Sequence, residues 1–212
     1  DLTWALILAS CRRISESERF VRNGNFKGWE PMLMLGLDVY EKTLGIIGMG
    51  RIGQAVAKRA TGFEMRIIYY NDSSLSQTLA FEAREVTLKT LLQEADIITL
   101  HLPLTKETFH LISKEEFALM KESAVLINTS RGAVIEEKEL IKALKTKRIF
   151  AAGLDVYENE PDIPQELLAL ENVVLLPHIG SASIETRTKM ALLAAENAIA
   201  VMEGKEPPAK VN

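Results

Sequence analysis

"TLGIIGMGRIGQAVAKRA", residues 43–60, decides the fold. An apolar, strand-forming run ends at Gly48 and an amphipathic run opens at Arg51, so Gly48, Gly50 and Gly53 fall across a strand-to-helix turn. A backbone this bare serves tight packing of helix on strand, or the close approach of a large anion. The spacing is G-x-G-x-x-G: the first glycine permits the turn, the second admits a pyrophosphate, and the third lets the helix lie against the strand. Arg51 and Ile52 open that helix, whose free N–H groups and positive end suit phosphate.

The glycine pattern is weak in isolation and gains force from its surroundings. A second strand, "MRIIYY", ends at "YYND", residues 69–72, which completes a β-α-β unit. An acidic side chain at that end accepts hydrogen bonds from ribose hydroxyls and repels a 2′-phosphate. Asn71 and Asp72 stand there with no arginine beside them. NAD is therefore the expected cofactor. The amide at Asn71, with the acid one place later, leaves NADP possible.

Further along, apolar runs keep alternating with helical stretches. "ADIITL" follows a helix near Leu88–Glu94, and "SAVLIN" precedes one from Glu136 to about Lys145. "FAAGLDV" and "NVVLLPH" complete the set. Continuous β-rich runs with helical crossovers indicate parallel strands buried on both faces. The fold class is α/β, a doubly wound parallel sheet of Rossmann type. Residues 1–182 are assigned to the cofactor domain, with an opening helix at 1–24 and an extended arm at 25–42. Residues 183–212 form a long amphipathic helix, from about Ser183 to Met202, and a polar tail. The arm carries Phe26, Trp29, Met32, Leu33, Met34 and Leu35, which must pack on their own domain or on a second subunit.

Composition narrows the function classes. The chain has 212 residues, 47% of them hydrophobic, and a net charge of −4. It carries no clustered Lys/Arg stripe, which argues against nucleic acid as partner. Cys11 is the single cysteine, so no intrachain disulfide can form and a reducing cytoplasm is expected. The opening "DLTWALILAS" is neither a signal peptide nor a membrane span. It reads as a helix already under way, which suggests a fragment of a longer protein.

Ligands of open parallel sheets bind beyond the carboxyl ends of the strands. Polar residues stand at those places. Thr129, Ser130 and Arg131 follow "SAVLIN"; Asp155, Glu158 and Glu160 follow "FAAGL"; His178, Gly180 and Ser181 follow "NVVLLP". Of the other histidines, His101 ends a strand and suits the cofactor lining, while His110 in "TFHLIS" suits a supporting or packing role. His178, after a buried strand and Pro177, is the candidate acid or base. Metal-ligand spacing, a G-x-S-x-G elbow and a P-loop ending are absent from the sequence.

Together with "LHLPLTKETFHLI", "LINTSRGAVIEEKEL", "AAGLDVYENEP" and "LLPHIGSAS", the glycine turn resembles the D-isomer-specific 2-hydroxyacid dehydrogenase family, nearly end to end. Within it, "CRRISESERFVRNGNFKGWEP" and "GLDVYEKTLGIIG" are most similar to the glyoxylate/hydroxypyruvate reductase branch, with phosphoglycerate dehydrogenases the alternative. The resemblance implies a catalytic trio: Arg131 to grip a substrate carboxylate, His178 to exchange a proton with the carbonyl oxygen, and Glu160 to orient the imidazole and keep it protonated. It also implies that Asp155 binds the nicotinamide carboxamide and that Leu102, Pro103 and Thr108 line the cofactor cleft. A small 2-keto or 2-hydroxy acid is the implied substrate and a homodimer through the cofactor domain the implied assembly. The family's flavodoxin-like substrate domain would precede Asp1, so the chain by itself is expected to bind cofactor but turn over poorly. A reading from another class makes it a cofactor-sensing binding module, like the family's transcriptional co-repressors.

Overall fold

The computed structural model describes residues 1–72 and 78–210. Contacts divide it into two units, residues 1–178 and residues 179–212. The first is built on seven parallel strands: β1 (Thr43–Ile47), β2 (Arg66–Tyr70), β3 (Arg84–Glu85), β4 (Ile97–Leu100), β5 (Val125–Asn128), β6 (Ala151–Leu154) and β7 (Val173–Leu175). Their order across the sheet is β3-β2-β1-β4-β5-β6-β7. Chain order therefore reverses between β1 and β4, and a crevice opens beyond the carboxyl ends of those two strands.

Alternation along each strand sends successive side chains to opposite faces. Leu44 and Ile46 join one buried cluster with Trp4, Leu6, Ile7, Val56, Ala57 and Ala60, from helices α1 (Leu2–Cys11) and α3 (Arg51–Ala60). Ile47 joins the other with Leu91, Phe117, Leu140 and Leu144. These last come from α4 (Leu88–Glu94), α5 (Lys114–Leu119) and α6 (Glu137–Lys145). Burial on both faces explains why β1, β4, β5 and β6 read as nearly continuous apolar runs. The doubly wound sheet expected from the sequence is thus present.

The opening helix differs from expectation. Residues 1–24 form α1 and a second helix, α2 (Ile14–Arg22), with Arg13 between them in the left-handed region at φ 52°. The break is held locally: the Arg13 guanidinium bonds Glu16 and the Leu35 carbonyl, while the N–H of Leu37 donates to the Cys11 carbonyl. The returning chain passes so close that any side chain at Gly36 would strike that carbonyl. Only the later part of the arm is covered, through Leu37 and Val39. Phe26, Trp29, Met32 and Leu35 are exposed, Trp29 at 82%.

β3 and α5 went unread in the sequence, as did α7 (Gln165–Leu168), because two to six residues carry no periodicity. In the second unit, α8 (Ile184–Met202) lies where expected, with Ser183 capping it by accepting from the Thr186 N–H. It is not amphipathic. The run "MALLAA" at 190–195 puts apolar side chains at successive 100° steps around the axis. The tail is described to Lys210; Val211 and Asn212 lie outside the described residues. No helix among those described is long and apolar enough to cross a membrane.

Candidate active site

The crevice between β1 and β4 is shaped by the three glycines. Gly48 has φ +96°, and a Cβ there would stand 2.5 Å from the His101 carbonyl oxygen at the end of β4. Gly53 lies so close to the Gly48 carbonyl and to Ile46 that the first turn of α3 admits no side chain. Around Gly50 there is open space on the side a Cβ would occupy. Two of the glycines are therefore demanded by the chain's own packing, whereas Gly50 leaves room for something that is not protein. The first-turn N–H groups of Arg51, Ile52 and Gly53 have no intrahelical acceptor, and that chemistry suits the phosphates of a dinucleotide.

Asn71, expected at the ribose, is engaged within its own domain. Its Oδ1 accepts from the Met49 N–H at 2.7 Å, tying the end of β2 to the glycine loop. Asp72, one residue later, is exposed.

At the end of β4, His101 is nearly enclosed, and its Nε2 is buried with no hydrogen-bond partner among the described residues. Burial lowers its pKa to about 4, so the ring is neutral near pH 7. A neutral ring is poorly suited to donate a proton there. Leu102 packs partly on the core, and Thr108 Oγ1 donates to the Pro103 carbonyl at 2.7 Å, closing the loop that follows.

After β5, Asn128 builds the turn that presents Arg131. Its Oδ1 accepts from both the N–H and the hydroxyl of Ser130, and its Nδ2 donates to the Arg131 carbonyl at 2.9 Å. Arg131 itself is exposed. Thr129 shares a hydroxyl contact of 3.0 Å with Thr3 of α1. Gly132 presses directly on the Tyr157 carbonyl, with no room for a side chain, and so holds Arg131 against the loop after β6. On that loop Asp155 is buried at 1% exposure, with its N–H donating to the Asn128 carbonyl.

The expected carboxylate and imidazole meet. His178 Nδ1 and Glu160 Oε2 are 2.7 Å apart, and Glu160 Oε1 accepts from the Tyr157 N–H at 3.0 Å. Partial burial acts to raise the Glu160 pKa, but the bonds from His178 and Tyr157 and the nearby Arg131 charge outweigh it, and the net shift is downward. His178 has φ 54°, a left-handed backbone that is uncommon for a non-glycine residue and that concentrates at functional sites. A carboxylate only accepts, so Nδ1 carries a proton and Nε2 is the nitrogen able to face a substrate. Tyr157 is a further element the sequence reading missed: its hydroxyl donates to the Leu176 carbonyl at 2.8 Å, two residues before His178. Gly180 and Ser181, expected to touch cofactor, fall in the second unit.

This geometry can be set beside known proteins. The family model described as "D-isomer specific 2-hydroxyacid dehydrogenase, NAD binding domain" matches residues 4–180. The chain belongs to that family. Among curated relatives, the glyoxylate reductase of Korarchaeum cryptofilum is 53% identical over all of this chain and 65% of its own length. A crystal structure of the TT0316 protein from Thermus thermophilus superposes with TM-score 0.95 at 48% identity, covering all of this chain and 67% of that one. A glyoxylate reductase from Paecilomyes thermophila gives 0.90 at 40% identity, covering all of this chain and 63% of that one. The chain thus spans about 65% of the length of the curated glyoxylate reductases it matches.

Proposed function

We propose that the full-length protein is a nicotinamide-dependent reductase of small 2-keto acids, with glyoxylate or hydroxypyruvate as substrate. The observation that carries this reading is the 2.7 Å pairing of His178 with Glu160 on the same sheet edge as Arg131 and the glycine crevice. The names of its relatives, glyoxylate reductase, support the substrate class.

Gly48, Gly50, Gly53 and the first turn of α3 hold the pyrophosphate; Asp72 holds the ribose and favours NAD over NADP. Leu102, Pro103, Thr108, Thr129, Ser130 and Asp155 complete the lining. Bound nicotinamide supplies or accepts a hydride. Arg131 offers a planar fork of donors to the substrate carboxylate and fixes the adjacent carbonyl beside His178. His178 Nε2 donates a proton to the carbonyl oxygen as its carbon is reduced, and takes it back in the reverse direction. Glu160 holds the ring in the required tautomer through Nδ1 and balances its charge.

The test is a steady-state assay of the full-length protein with glyoxylate, hydroxypyruvate and pyruvate, each with NADH and NADPH. Turnover confined to glyoxylate and hydroxypyruvate, and faster with NADH, is expected. Failure to reduce any 2-keto acid would refute the reading.

The same reading includes a homodimer in a reducing cytoplasm. Phe26, Trp29, Met32 and Leu35 of the arm, with Ile14 and Val21 of α2, are large apolar side chains exposed together along one stretch of chain. Light scattering at micromolar concentration should give the mass of a dimer, and Trp29→Ala should weaken it. A monomer in both cases would remove the proposal. Cys11, buried with its thiol pushed up to about 12 by burial, is inert and consistent with such a compartment.

A further inference from the structure

We propose that His110 and Glu158 are positioning residues that fasten the loop bearing Glu160 to the loop that lines the cofactor crevice. The inference rests on the reading of Glu160 and His178 given above and deepens it.

Three loops leave the carboxyl edge of the sheet: residues 101–113 after β4, residues 129–136 after β5, and residues 155–164 after β6. The first two are joined through backbone. The N–H groups of His110 and Ile112 donate to the carbonyls of Ala133 and Val134, and the N–H of Glu136 donates to the Ile112 carbonyl. The third loop is tied through Glu158 to the first loop and to the start of α6, where the second loop ends. Glu158 Oε1 lies 3.0 Å from His110 Nε2, and its Oε2 accepts from the Glu137 N–H at 3.3 Å. In return the Glu158 N–H donates to Glu137 Oε1 at 3.4 Å. Both side chains of the His110–Glu158 pair are about three-quarters enclosed, so the bond is only partly screened by water.

His110 is itself fixed. Its ring stacks on Phe109 with centroids 3.9 Å apart, and its backbone is left-handed at φ 51°. Glu158 in turn is one residue from Tyr157, whose N–H holds Glu160 and whose hydroxyl holds the strand end before His178. A shift of Glu158 must therefore move the donor that orients Glu160. Small misplacements of a reacting group cost rate steeply, even when their origin lies away from the chemistry. The pair gives the acid–base couple a rigid link to Leu102, Pro103 and Thr108.

The test uses the full-length protein with two substitutions. His110→Phe keeps a flat ring against Phe109 but removes the donor, and His110→Gln restores an N–H donor. Hydrogen exchange of the Tyr157 amide, which needs no activity, should quicken about ten-fold or more in His110→Phe relative to amides of β1. With 2-keto acid, kcat should fall about ten-fold while KM and NADH affinity stay within about two-fold, and His110→Gln should recover most of both losses. Should His110→Phe fail to fold, Glu158→Gln must move the same two readouts in the same direction. Unchanged Tyr157 exchange, equal loss in the Phe and Gln variants, or a uniform acceleration of all amides would overturn the proposal. If the unsubstituted protein reduces no 2-keto acid, the functional reading fails, whereas the exchange data still decide this one.

Discussion

Glu160 and His178, eighteen residues apart in sequence, share a hydrogen bond of 2.7 Å between Oε2 and Nδ1. With Nδ1 committed, only Nε2 can serve a substrate. In the full-length protein His178→Gln should leave NADH binding, read by fluorescence, within about two-fold of the original. Reduction should drop by about 10²–10⁴-fold, the usual contribution of a positioned acid or base. If activity persists and His101→Gln removes it, the acid has been placed on the wrong ring.

The same bond gives a pH dependence. Glu160 is held below its usual value of 4.5, so what its interactions add to the folded state is fully present above that value. That contribution is lost as pH falls through the folded-state pKa, so the loss is confined to the acid side. Asp96 behaves alike: burial acts to raise its pKa, but Lys121 at 2.7 Å and the Thr43 N–H at 2.9 Å bring it below 3.8. Asp96→Ala removes the acceptor for the first N–H of β1 and should cost about 1–3 kcal/mol at neutral pH. The deficit should shrink below about pH 4 in denaturant titrations. A deficit independent of pH would contradict it.

Two glycines of the turn should fail in opposite ways. Gly53→Ala drives a methyl into the Gly48 carbonyl, an overpacking worth about 1–3 kcal/mol, and should lower Tm by several degrees. Gly50→Ala meets open space at an ordinary φ of −73°, so Tm should hold while NADH affinity falls at least ten-fold. Equal loss of Tm in both would mean that the crevice is packed by protein and not kept for a ligand.

At the end of β2 the two neighbours also separate. Asn71→Leu takes the acceptor from the Met49 N–H and should weaken NADH and NADPH alike, by several-fold. Asp72→Arg should leave the loop in place and shift preference toward NADPH. Dissociation constants for both coenzymes in both variants check this; a preference unmoved by Asp72→Arg places the ribose elsewhere.

The sheet and its winding were legible because parallel strands buried on both faces are nearly continuous apolar runs, and "TLGII", "IITL", "VLIN" and "AAGL" are interrupted only by Thr43, Thr99 and Asn128. The glycine turn was legible for a related reason, since contact with backbone excludes every side chain but hydrogen. The carboxyl-edge rule and the resemblance named Arg131, Glu160 and His178 as well, because strand ends in an open parallel sheet are where ligands bind. Other things depended on distances between segments remote in sequence. Nothing in "YYND" says that Asn71 turns back to Met49, and nothing in "TFHLIS" or "VYENE" says that His110 meets Glu158. The break at Arg13 was likewise set by Leu35 and Leu37 returning past Cys11. Local pattern determines which face of an element is buried. Which polar atoms then find one another depends on how the packed elements bring their loops together, and that is a property of the whole fold.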